Sequence, residues 1–140
     1  MRSTLILAAL AGVCVALQTS LTGAAQRTLG PAVLVAISGL TTGGLALLIS
    51  FFVTKPEFTG RAVGYAVASG VFGAVIVGSI AVAAGQAGVA RALSLVIASQ
   101  LLAGLILDAF GVFGAGADFS ISKALGVVLI VVGGALVVSY

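Results

Sequence analysis

Histidine and tryptophan are absent from the 140 residues, and cysteine occurs once, at Cys14. A single cysteine rules out an intrachain disulfide, and Cys14 is expected to be a small buried packing residue. With no histidine and no cysteine pair, the chain offers no plausible metal set, and it has no acid pair close in sequence for general acid–base work. An enzyme is therefore the least expected class, and no cofactor is expected. The lack of tryptophan leaves little material for an aromatic cage around a cationic substrate. Phe72, Phe110 and Phe113 are expected to face lipid or to pack. Charge is scarce as well, with six Lys and Arg against three Asp and Glu. So few charged side chains cannot cover the surface of a soluble fold.

What is abundant is apolar: 61% of the residues are hydrophobic, and the mean hydropathy of +1.38 points to a chain dissolved in lipid. Five apolar runs approach or exceed the roughly 20 residues that a helix needs to cross the hydrocarbon core. They cover about 3–25, 31–53, 62–84, 90–111 and 123–140. Gln26, Arg27, Gly30 and Pro31 form the first turn, and Pro31 opens the second helix, where its missing N–H costs nothing. The polar stretch Thr54 to Arg61, with Lys55, Pro56, Glu57 and Gly60, separates the second run from the third. Gly85, Gln86 and Gly88 form the next turn, and a Gly-rich loop with Asp118 precedes the last run. A membrane barrel would show short alternating segments, whereas these blocks are continuous. The expected fold is all-α, a single transmembrane domain over 1–140 with five spans.

Arg2 followed by an apolar run looks like a secretory signal, and the residues around Cys14 look faintly like a lipoprotein processing site. Val13 is too large for the small residue expected before such a cysteine, and the run continues past it, so the segment is read as a retained first helix. Lys and Arg gather on cytoplasmic loops. Five spans place Arg2, Lys55, Arg61 and Lys123 on one side and Arg27 and Arg91 on the other, which favours a cytoplasmic N-terminus by a weak bias. A bias this weak permits insertion both ways. Membrane topology accounts for the net charge of +3, and no nucleic-acid partner is expected.

Lipid gives helices no hydrophobic reason to associate, so small residues carry their contacts. Gly39 and Gly43, Ser69 and Gly73, and Gly70 and Ala74 are small-xxx-small pairs that predict tight packing. Polar residues inside the spans are costly and turn to the bundle interior. Gln18 and Thr22 share a face of the first helix, being four apart. In the fourth, Ser94, Ser99, Gln100 and Asp108 are polar, and Gln100, Gly104 and Asp108 step by four. Such a stripe can line a pathway or pocket, and glutamines can equally be interhelical hydrogen-bond glue. Asp108 is the one acid in an expected span. A proton carrier, a hydrated interfacial residue and an ion-pair member all fit it.

The stretch Val96-Ile97-Ala98-Ser99-Gln100-Leu101-Leu102-Ala103-Gly104-Leu105-Ile106-Leu107-Asp108-Ala109-Phe110, preceded by Gly88 and Arg91, resembles the fourth-helix signature of the YdcZ family. There a Ser/Gly-Gln pair is followed eight residues after the Gln by an Asp and then a Phe. Gln18 and a last helix with Gly126, Gly133 and Gly134 extend the likeness over nearly the whole chain. Many members have an Asn shortly after the first-helix Gln, where this chain has Thr19, Ser20 and Leu21. The resemblance implies half of a drug/metabolite transporter in the bacterial plasma membrane. Ten-helix members of that superfamily consist of two five-helix halves of inverted topology.

An inverted copy of the chain, or an inverted paralogue, is then the expected partner beside the lipid bilayer. The expected function is movement of a small organic molecule by alternating access, with a site near the midplane. Gln18, Thr22, Ser99 and Gln100 are the candidate substrate contacts. Inversion would also place the partner's Arg91 at the depth of Asp108, although within one helix the two are about 25 Å apart. Ser99 and Gln100 fall at the midpoint of that span. The other classes that fit are a channel or pore subunit, and a membrane partner that itself transports nothing.

Overall fold

The computed structural model describes residues 2–53, 58–110 and 120–140. Lys55, Pro56 and Glu57 of the polar stretch, with Gly111, Phe113 and Asp118 of the Gly-rich loop, lie outside the described residues. Five helices account for nearly everything else: α1 (Arg2–Leu29), α2 (Pro31–Val53), α3 (Gly60–Ala87), α4 (Val89–Ala109) and α5 (Ile121–Ser139). No strand occurs among the described residues. The shortest, with 19 residues, is about 28 Å long, close to the roughly 30 Å of a hydrocarbon core. All five are long and apolar enough to cross a membrane.

Two helix ends differ from the sequence expectation, for one reason. Gln26 and Arg27 belong to the last turn of α1, and Gly85 and Gln86 to that of α3. Neither glutamine nor arginine breaks a helix. The breaks fall where the backbone turns to positive φ, at Gly30 (φ 74°) and Gly88 (φ 90°), a conformation open to glycine and strained for other residues. Each junction is thus a single residue. The Gly30 N–H donates to the Gln26 carbonyl at 3.0 Å, closing α1, and its carbonyl accepts from the Leu34 N–H at 3.2 Å, starting α2.

The chain divides into two compact units, residues 1–86 and 87–140. In the first, packing is concentrated at one end. Thr19, Thr22 and Gly23 of α1, Leu34 of α2, and Ala81 and Ala84 of α3 are buried there. A Cβ placed on Gly23 would lie 3.3 Å from the Ala84 Cβ, and one on Gly78 would lie 3.4 Å from Val35. Residues 3–15 of α1, 39–49 of α2 and 60–72 of α3 are exposed throughout. Cys14 falls in that half and is exposed rather than buried, because no other described residue covers the N-terminal half of α1. For the same reason Gly39, Gly43, Gly70 and Gly73, expected to pack tightly, face open space. The glycines that do admit a neighbouring helix are Gly23, Gly78 and Gly85.

The second unit is an antiparallel pair, α4 against α5. Its close point is Gly134, where a Cβ would lie 3.3 Å from the Ser94 carbonyl oxygen. The large apolar side chains throughout the protein point outward, among them Leu40, Phe51, Phe72 and Phe110. The buried apolar residues described are alanines and one leucine, which is the pattern of helices that associate by close backbone approach within lipid.

Candidate functional site

The stripe read from spacing in α4 forms one wall of a groove. Gln100, Gly104 and Asp108 line it together with Leu101 and Leu105, and Lys123, Gly126, Val127 and Ile130 of α5 form the facing wall. Its volume of about 390 Å³ falls in the range of small-molecule sites. The α5 residues recur at i, i+3, i+4 and i+7, a helical face. Gly104 and Gly126 carry no side chain to fill the space between the walls. Asp108 and Lys123 mark one end of the groove, and Gln100 lies about 12 Å along α4 from Asp108.

Helix electrostatics do not account for either charge. Asp108 stands in the last turn of α4, where the carbonyl ends are already negative, and Lys123 stands in the first turn of α5, where the N–H ends are positive. Each position opposes the helix dipole and costs stability, whereas the reverse signs would gain it. Both charges face the same groove.

The remaining candidates are placed differently. Thr22 is buried, and its hydroxyl donates to the carbonyls of Gln18 at 2.9 Å and Thr19 at 3.2 Å. That hydrogen bond stays within the helix. Gln18 has an exposed side chain one turn away. Ser99 is exposed and donates to the Val96 carbonyl at 2.9 Å, and it does not line the groove that its neighbour Gln100 enters. Arg91 is exposed in the first turn of α4, at the opposite end of that helix from Asp108. The structure therefore brings Gln100 and Asp108 into one groove and adds Lys123, which the sequence reading used only for topology. The i, i+3, i+7 spacing of Lys123, Gly126 and Ile130 is the signal that would have found it.

Arg27 was likewise read as part of a turn. Its guanidinium donates to the Gly85 carbonyl at 2.7 Å, supplying a partner for a carbonyl in the last turn of α3. The backbone beneath is close, since a Cβ on Gly85 would meet the Gly23 carbonyl oxygen at 3.1 Å and would overlap the Gln26 side chain.

Five apolar helices, contacts built from glycine and alanine, and a mainly apolar groove between two of the helices that carries a few polar side chains define a polytopic α-helical membrane protein. The chain belongs to the family described as "Putative inner membrane exporter, YdcZ", whose model matches residues 3–136. No curated protein and no solved structure was found to match it. Family and helices together support a multi-pass inner-membrane protein that is a membrane transporter.

Proposed function

We propose that the chain is a transporter half that moves a small organic molecule by alternating access, pairing antiparallel with an inverted copy of itself. The observation that carries the reading is the α4–α5 groove, in which Gln100 and Asp108 face Lys123 across a glycine-floored gap. Its walls of Leu101, Leu105, Val127 and Ile130 suit the apolar body of a substrate, and the amide and the charges orient its polar groups. Gln100 is the central contact and Asp108 the charged one. Gln18 and Thr22, which belong to the first unit, and Ser99, which does not line the groove, are given no contact in it, and the Thr22 hydroxyl donates within its own helix.

Inversion brings Arg91 of the second copy to the depth of Asp108, so an ion pair across the two-fold is a further element of the proposal. Charge exchange tests it. Asp108→Arg and Arg91→Asp should each impair assembly, and the double variant should restore it. Failure of the double variant, with rescue instead by Asp108→Lys combined with Lys123→Asp, would assign the partner of Asp108 to its own α4–α5 pair.

Antiparallel pairing is tested by orientation. Phe58→Cys and Tyr140→Cys, each exposed, are placed singly in a Cys14→Ser background and labelled in intact cells with an impermeant thiol reagent. Labelling of about half the molecules at each site supports insertion both ways. Full labelling at one site with none at the other contradicts pairing with an inverted copy, and the transporter reading then requires an inverted paralogue or yields to that of a membrane partner that itself transports nothing.

A further inference from the structure

Outside the proposed substrate groove, the described residues form a second and larger groove, of about 710 Å³, running along α3 from Ala74 to Gln86 with Pro31 of α2 at one end. Its lining is small or apolar apart from Ser79 and Gln86. From Ala74 to Gln86 is about 18 Å along the helix. One leaflet of a hydrocarbon core is about 15 Å deep, so the groove is the length of one acyl chain. Small residues keep it shallow enough for a chain to lie against the backbone, and Gly78 permits the approach of Val35 at its floor.

The Gln86 end is also where Arg27 is held. The guanidinium donates to the carbonyl of Gly85, the residue before Gln86, and Arg27 lies four positions before Pro31, another lining residue. Arg27 is exposed, and a guanidinium has five N–H donors, of which this bond uses one. Arg27 does not itself line the groove, but its planar, positively charged fork is held at the residue before the lining Gln86, and a cation beside the end of a chain-length apolar groove is complementary to a phosphate ester carrying an acyl tail.

We propose that this groove binds an anionic phospholipid, with one acyl chain along α3 between Ala74 and Gln86 and the phosphate at Arg27. The site does not depend on the substrate groove, which lies in the other unit. A bound lipid would cover the flank of α3 beside its contact with α1, and so reinforce the packed end of that unit.

The test uses the full chain purified in detergent, with retention of phosphatidylglycerol and of phosphatidylcholine of identical acyl chains compared by native mass spectrometry and by lipid titration. Phosphatidylglycerol should bind the tighter. Arg27→Gln should weaken it about tenfold, the scale of a lost charge-assisted hydrogen bond, and abolish the headgroup preference. Arg27→Lys should keep part of it, and Arg61→Gln, which removes an exposed cation at the other end of α3, should leave it intact. Ala74→Leu, at an exposed lining position, should weaken both lipids, and it keeps the test open should Arg27→Gln fail to fold. Equal binding of the two lipids would overturn the proposal. So would an Arg27→Gln protein with unaltered preference, or inorganic phosphate binding as tightly as phosphatidylglycerol, which would show that the acyl chain contributes nothing.

Discussion

The α1–α3 contact and the α4–α5 groove both combine glycine with polar side chains inside membrane-spanning helices, yet they use them in opposite ways. At the first, the polar groups are consumed within the protein. Thr22 bonds to its own helix, Arg27 bonds to the end of α3, and Gly23 and Gly85 let the two backbones meet. At the second, Gln100, Asp108 and Lys123 surround an open space, and Gly104 has nothing within 4 Å of a built Cβ. The difference is between a packed contact and an open groove, and polar residues that line a groove within membrane-spanning helices are candidates for a pathway.

The comparison breaks most readily at Gly85. Gly85→Leu should cost about 1–3 kcal/mol of stability, because a backbone oxygen stands in the way and cannot yield as a side chain can. Gly104→Leu should leave stability within about 0.5 kcal/mol while closing the groove. Reversible unfolding in mixed detergent micelles measures both, and equal losses would erase the distinction between the two regions. Arg27→Gln should cost about 1 kcal/mol, the worth of one interhelical hydrogen bond. Thr22→Val conserves shape and removes a bond internal to α1, so the loss should stay under about 1 kcal/mol. Asp108→Asn should have the smallest effect on stability, at zero or slightly stabilising, since it removes a negative charge from the C-terminal turn of α4. That holds for the single chain in micelles, and a clear destabilisation there would assign Asp108 an ion-pair partner within its own α4–α5 pair instead of Arg91 of an inverted copy.

Much of the architecture was legible in the sequence because hydropathy reports spans directly. The bounds of α2 were read as they stand, and those of α1 and α3 fell short where Gln26, Arg27, Gly85 and Gln86 continue a helix in spite of their polarity. Small-residue spacing defines a face and not its neighbour, so Gly39 and Gly43 were expected to pack although they face open space. The α4 wall of the groove followed from a step of four. Its α5 wall did not, because pairing Lys123 with Asp108 requires the register of two helices separated by a Gly-rich loop. Arg27 stayed hidden for a similar reason, as its acceptor is 58 residues away.

The central claim is that the α4–α5 groove belongs to a solvent-filled transport path and does not simply face lipid. Thiol reactivity tests it without knowledge of the substrate, since only a hydrated thiol ionises and reacts. Gly104→Cys and Leu40→Cys are compared in a Cys14→Ser background in sealed vesicles, with an impermeant reagent applied from each face in turn. The account predicts that the cysteine at position 104 reacts from both faces and that the one at position 40, on an exposed apolar surface of α2, reacts from neither. A cysteine at position 104 as inert as the one at position 40 would contradict it.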